Sequence, residues 1–242
     1  LLIFIVINSV SKPSTELFDP LQFNDIVDTY VINLKNRPEK LEHIELQLKY
    51  HNLKYNVMNG IDGNRLNLQY LENHNVINQD KAMFYMKRNL RRGEYGCALS
   101  HLSIWLKMLK SKSKYFLIFE DDAYLVNNFK DKLIQILKDV ETKQWDVLYL
   151  SENCYNHFGV ACNGDDFSDT TIKPRRVGYG LFGYIITKQF VEKCVNSLFP
   201  IYYAVDVFLD EGSFSNEFTC IRSKEILVYY NKKFRSDTQS IF

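Results

Sequence analysis

Residues Lys114 to Leu125 read KYFLIFEDDAYL, an apolar and aromatic run from Tyr115 to Phe119 that stops at three carboxylates, Glu120, Asp121 and Asp122. The run is short, largely aromatic, and follows a segment of helical periodicity. It is therefore expected to be a buried strand of a parallel sheet. In open α/β sheets, ligands bind outside the carboxyl ends of the strands, where this acidic triplet would stand. Carboxylates a few ångströms apart raise each other's pKa, so the cluster is costly unless something positive meets it. A hard divalent cation, Mg2+ or Mn2+, held by oxygen ligands and bridging a substrate's phosphates is one solution. A solvated acidic turn is the other, and the motif alone does not separate them.

Working outward, the chain has 242 residues, 46% of them hydrophobic and 24% charged, which suits one large α/β domain with a substantial core. The expected division is an N-terminal segment, residues 1–27, ahead of a single domain, residues 28–242. A net charge of +1 gives no footprint for nucleic acid. The apolar stretch Leu1 to Ile7 is too short to cross a bilayer and no basic region precedes it. It fits either the remnant of a signal or anchor or an edge strand, and membrane association would run through it alone. The five cysteines, Cys97, Cys154, Cys162, Cys194 and Cys220, lack CxxC spacing and paired histidines, so a zinc site is not expected. Cys97 and Cys194 fall on helix faces as small buried hydrophobes. Cys154 and Cys162 share a loop and would be able to pair in an oxidising compartment.

Before the central strand, residues 28–34 (DTYVINL) form a strand pattern, and Pro38 opens a helix carrying Leu41, Ile44 and Leu48. A second strand, Tyr55 to Met58, runs into Asn59-Gly60-Ile61-Asp62-Gly63. Asn33, Leu34 and Arg37 would frame a nucleoside pocket, with Asp62 reading a base or ribose; loop polarity around a turn glycine accounts for the same residues. In the basic cluster Lys87, Arg88, Arg91 and Arg92, Arg92 is the candidate cation for a diphosphate. Ala98, Leu102, Trp105, Leu106 and Leu109 make a helical stripe from Glu94 to Lys110. Glu94 suits the positive end of that helix, and Ser100 lies in its early turns. His101, beside the buried stripe, reads first as a structural histidine and second as a donor contact.

After it, Phe129 to Val140 is an amphipathic helix and WDVLYL (145–150) a further buried strand. Residues 151–177 show no period and are expected to be a long surface loop of the kind that often serves binding. Gly178 to Thr187 (GYGLFGYIIT) carries three glycines, Gly180 among them, that allow close approach by a ligand. In YYAVDVFLDE (202–211), Asp206 stands among apolar residues, where desolvation would raise its pKa toward that of a general base. Asp210 and Glu211 are reserves, and first-turn helix acids are the plainer reading. Ile226 to Tyr230 is a late strand ahead of a polar tail containing Ser236.

Several blocks together resemble the family 25 glycosyltransferases, the group that holds bacterial lipooligosaccharide glycosyltransferases and procollagen galactosyltransferases. They are YVINLKNRPEKLEHIELQL (30–48), GEYGCALSHLSIWLKML (93–109) and FLIFEDDA (116–123), followed in order by WDVLYL, GYGLFGYIIT, Asp206 and SDTQSI (236–241). The resemblance implies a GT-A-like α/β fold, a central mostly parallel sheet flanked by helices. It also implies a UDP-sugar donor and Mn2+ or Mg2+. The EDD run would correspond to the family's DxD-type motif, with Asp122 the direct metal ligand and Glu120 and Asp121 closing the site or holding ribose. Glu at the first position leaves open which acids coordinate directly. The candidate donor contacts, from the residues and the resemblance together, are Asn33, Leu34, Arg37, Asp62, Arg92, Glu94, Ser100, His101, Glu120, Asp121, Gly180 and Ser236. Asp206 would be the base of an inverting transfer, ahead of Asp210 and Glu211. The acceptor is a collagen-type hydroxylysine, its galactosyl form, or a surface-glycan sugar. A catalytically silent nucleotide-sugar-binding module is the alternative from another class.

Overall fold

The computed structural model describes residues 23–151, 163–195 and 197–234. In chain order the elements begin with α1 (Phe23–Ile26), β1 (Val27–Asn33), α2 (Pro38–Tyr50) and β2 (Asn56–Asn59). A 3-10 turn, Gly63–Arg65, then leads to α3 (Leu68–Asn73), α4 (Gln79–Met86) and α5 (Arg92–Met108). The central block is β3 (Tyr115–Glu120), β4 (Ala123–Leu125), α6 (Phe129–Asp139) and β5 (Val147–Tyr149). Then come β6 (Gly164–Asp166), β7 (Thr171–Pro174), β8 (Gly183–Thr187) and α7 (Lys188–Cys194). The last are α8 (Val205–Phe214), β9 (Cys220–Ser223) and β10 (Val228–Tyr230).

An 8-stranded sheet in the order β2-β1-β3-β8-β5-β9-β7-β6 organises the molecule. β1 pairs in parallel with β2 and β3, β5 in parallel with β9, and the antiparallel partners are β8 and β7. Six strands thus run one way and two the other, giving the mostly parallel sheet expected. Because side chains alternate across a strand, β3 feeds two cores. Phe116 and Ile118 pack with α5, α7 and α8, around Trp105, Phe190 and Leu209. Tyr115, Leu117 and Phe119 pack on the opposite face with α2 and α6, around Ile44, Leu48 and Leu133. Burial on both faces explains why the sequence of β3 is a continuous apolar run rather than an alternation.

One expectation needs correction. Part of the supposed surface loop 151–177 is sheet: β6 and β7 form a hairpin whose β7 pairs with β9. β6 is exposed along its length, and a strand without a buried face leaves no hydrophobic period to read. The late strand expected over Ile226 to Tyr230 is β10, which pairs antiparallel with β4 in a separate 2-stranded sheet. The possible Cys154–Cys162 pair, Leu1 to Ile7 and Ser236 lie outside the described residues. Among the described residues no helix is long and apolar enough to cross a membrane.

The carboxyl ends of β1, β2 and β3 share one edge of the sheet. Since β8 runs the other way, its entrance arrives at that same edge, where Glu120 N–H donates to the Phe182 carbonyl at 3.1 Å.

Candidate active site

That edge is the floor of a cleft of about 1160 Å3. β1 delivers Asn33, whose Nδ2 donates to the Asp121 Oδ2 at 2.8 Å and to the Arg37 carbonyl at 2.9 Å. One amide thereby fixes both an acid at the end of β3 and the turn that starts α2. Leu34, Arg37 and Asp62 line the cleft. Asp62 accepts from Asn64 N–H at 2.9 Å, so one of its oxygens shapes the turn.

The triplet divides three ways. Asp121 and Asp122 are buried, and Lys40, 3% exposed, places its Nζ 3.6 Å from Asp121 Oδ1 and 3.4 Å from Asp122 Oδ2. Asp122 Oδ1 is buried with no hydrogen-bond partner. Burial, reinforced by Glu120, pushes the Asp122 carboxyl from its ordinary 3.8 up to about 7, against the downward pull of Lys40. An orphaned buried oxygen within an acidic pair fits a hard cation bound by oxygens. Glu120, less buried, faces the neighbouring wall, where His101 Nε2 lies 3.3 Å from its Oε1.

That wall is α5. Gly63 and Gly96 let the helix and the 3-10 turn touch: a Cβ on Gly96 would lie 2.4 Å from the Ile61 carbonyl oxygen, and one on Gly63 1.9 Å from that of Arg92. Ser100 clamps the contact, accepting from Ile61 N–H at 2.8 Å and donating to the Gly96 carbonyl at 2.7 Å. Glu94 caps its own helix by accepting from Arg91 N–H at 2.7 Å, and takes both guanidinium nitrogens of Arg88 at 2.7 and 2.6 Å. His101 is fully buried and its Nδ1 lies 2.7 Å from the Tyr184 hydroxyl, which also accepts from Trp105 Nε1 at 2.9 Å. Its position serves structure and site at once. Cys97, expected as a buried hydrophobe, is half-buried: it packs against the core and, one turn before His101, also lines the cleft. Arg92 turns away from the cleft, donating to the carbonyls of Leu66 and Asn64. Arg88 and Arg91 line the cleft in its place.

The opposite wall joins the β8 entrance to α8. Gly180, at φ 91°, adopts a conformation that glycine tolerates, and its N–H donates to Asp206 Oδ2 at 3.2 Å. Asp206 is half-buried in the cleft wall; burial raises its pKa, partly countered by the N–H groups of Gly180 and Val207. Asp210 differs. It is fully buried and accepts from Arg176 Nη1 at 2.6 Å, Val177 N–H at 2.9 Å and Gly178 N–H at 3.1 Å. Glu211 shares Arg176 at 2.8 Å. Neither lines the cleft; one turn further along α8, both hold the segment before β8 in place.

Sequence reasoning missed Lys40. A helical lysine gives no local sign of burial, although its place two residues after Pro38 puts it in the first turn, above the strand ends.

The family model described as glycosyltransferase family 25 (LPS biosynthesis protein) matches residues 26–209. The chain belongs to glycosyltransferase family 25. The matched span of this family 25 chain includes both acidic clusters up to Asp206 and stops short of Asp210 and Glu211. Mouse procollagen galactosyltransferase 2 is 30% identical over 135 residues, 54% of this chain and 21% of the relative. A human relative named inactive glycosyltransferase 25 family member 3 is 33% identical over 135 residues, 53% of this chain and 22% of its own. Procollagen galactosyltransferase 1-A of Xenopus laevis is 25% identical over 224 residues, 87% of this chain and 35% of its own. The family 25 chain therefore spans about a fifth to a third of these relatives' length.

Proposed function

We propose that the chain is a metal-dependent glycosyltransferase that moves a hexose from a UDP-sugar to a hydroxyl acceptor. The observation that carries this reading is the buried pair Asp121–Asp122, with Asp122 Oδ1 left unpartnered in the floor of a cleft large enough for a nucleotide sugar. Asp122 and Asp121, with Glu120 beside them, would hold Mn2+ or Mg2+, which supplies charge neutralisation for a departing diphosphate. Leu34, Arg37 and Asp62 suit the nucleoside end of the donor. Arg91 adds positive charge to the cleft wall for the phosphates, while Arg88 is paired with Glu94.

Asp206 is the candidate base. In an inverting transfer the acceptor hydroxyl oxygen forms the new bond to the anomeric carbon as the bond to the diphosphate oxygen breaks. The diphosphate leaves with the bonding electrons, and the hydroxyl proton passes to the Asp206 carboxylate. The Gly180 and Val207 N–H groups hold that carboxylate in place, while burial keeps it more basic than a surface aspartate. Orientation of two bound reactants contributes the remainder. Because the mouse and frog relatives are named procollagen galactosyltransferases, a collagen-type hydroxylysine is the first acceptor to examine; a surface-glycan sugar is the second.

The name of the human relative favours one second reading, a nucleotide-sugar-binding module without turnover. UDP release from a panel of UDP-sugars, with Mn2+ or EDTA and with hydroxylysine peptides or hexoses as acceptors, separates the two. Selective release abolished by EDTA and by Asp122→Asn is the expected result. Metal-dependent UDP binding without release under any acceptor would establish the silent module, and absence of both would overturn the nucleotide-sugar reading.

A further inference from the structure

The α5 wall brings together donors of a different kind from the acidic pair. Cys97 and His101 lie one helical turn apart, so they share a face. With Glu120 they place a sulfur, an imidazole nitrogen and a carboxylate oxygen within 4.8 Å of one another. All three residues line the cleft. The Tyr184 hydroxyl, 2.7 Å from His101 Nδ1 and held by Trp105 Nε1, leaves Nε2 directed at Glu120. A hydrogen bond at the non-ligating nitrogen is how proteins orient a metal-binding imidazole. Mixed sulfur, nitrogen and oxygen donors do not suit Mg2+ or Mn2+, which take oxygens. Three protein ligands with a fourth direction open to the cleft suit four-coordinate Zn2+.

We propose that Cys97, His101 and Glu120 form a Zn2+ site, separate in chemistry from Asp121–Asp122 and sharing with the triplet only Glu120. Binding exchanges the Cys97 S–H bond for a sulfur–zinc bond and releases that proton to solvent, with no change of oxidation state. The CxxC and paired-histidine spacings that announce zinc in a sequence are missing because the ligands come from one helix face and the end of a strand.

The test uses Co2+ as a visible stand-in for Zn2+ on the intact chain, without nucleotide. Expected are a thiolate-to-cobalt charge-transfer band in the near ultraviolet and visible bands of tetrahedral intensity, both displaced by Zn2+. Cys97→Ser should abolish the near-ultraviolet band, while Asp122→Asn should leave the spectrum intact. Tyr184→Phe keeps all three donors and is expected to weaken Co2+ binding roughly tenfold by freeing the imidazole; it carries the test if Cys97→Ser does not fold. The site is overturned by a charge-transfer band that survives Cys97→Ser, by a spectrum without that band, by one lost in Asp122→Asn, or by full affinity in Tyr184→Phe. An intact cobalt spectrum in a protein that turns over no UDP-sugar would sink the proposed activity and leave the Zn2+ site standing.

Discussion

At the end of β3, the buried acids Asp121 and Asp122 share Lys40, Asn33 donates to Asp121, and one oxygen of Asp122 has no partner. On α8, the equally buried Asp210 accepts from a guanidinium and two backbone N–H groups. Both regions are carboxylates in apolar surroundings, yet only the second is saturated. A buried carboxylate surrounded by donors is a structural pin, and its removal leaves those donors unsatisfied. A carboxylate short of donors keeps spare capacity for a ligand and holds a raised pKa until one arrives. Asp206 lies between these cases: it accepts two backbone N–H groups and still faces the cleft.

The sharpest way to break this comparison is at Asp206. Asp206→Asn should lower kcat for transfer by about 10²–10⁴-fold, the usual range for a positioned base, with donor KM nearly unchanged. Steady-state UDP release with a working acceptor measures both. Because burial raises the pKa of Asp206, the rate of the parent protein should fall, as pH drops, at values above the ordinary aspartate range, when the base takes up its proton. A pH–rate profile that stays flat there, or an unchanged kcat in the variant, would remove Asp206 from the chemistry.

Asp210→Ala tests the saturated partner. It strips Val177 N–H and Gly178 N–H of their acceptor and leaves Arg176 with Glu211 alone, and should cost about 1–3 kcal/mol of stability, read by urea unfolding. Asp210→Asn, which keeps acceptor capacity, should cost less.

Asp122 should show the opposite sign. Its folded pKa of about 7 exceeds the ordinary 3.8, so between those values the native state holds a proton that the unfolded chain has released. Stability must then fall as pH rises through that window. In EDTA, Asp122→Asn should therefore melt higher than the parent at pH 8, by a margin on the order of a few kcal/mol at most. The two melting temperatures should converge near pH 4. A lower melting temperature for the variant at pH 8 would mean that Lys40 already neutralises Asp122 in full.

The smallest effect is expected at Arg92. Its side chain supports the turn through two carbonyls, so Arg92→Ala should cost about 1 kcal/mol in stability and leave donor KM unchanged. Arg91→Ala, on the cleft rim, should raise donor KM severalfold in the same assay.

The central features were legible because they rest on local rules. β3 is buried on both faces, so its sequence is uniformly apolar, and the acids that end it mark the strand's carboxyl edge. The stripe Ala98, Leu102, Trp105 repeats at the helical period and is found in the core. The hairpin of β6 and β7 was not legible, since its exposed strand carries no period. The site was read in part. Asp122 and Asp206 lie in the cleft as their surroundings suggested, whereas Arg92, Asp210 and Glu211 have the right chemistry and point elsewhere. Arg91 is the extended cap residue before α5 and Arg92 its first helical residue, so the two side chains leave in different directions, and no composition argument chooses between them.

What the sequence determined by itself was the central strands and helices outside the β6–β7 hairpin, the acidic edge and the family, because periodicity and motif spacing are properties of the chain. What the tertiary structure decided was the fate of each charged group. Lys40 is separated from Asp122 by 82 positions, and Arg176 from Asp210 by 34. Whether a carboxylate becomes a pin, a base or a cation ligand depends on how many donors the fold brings to it, and those donors come from other elements.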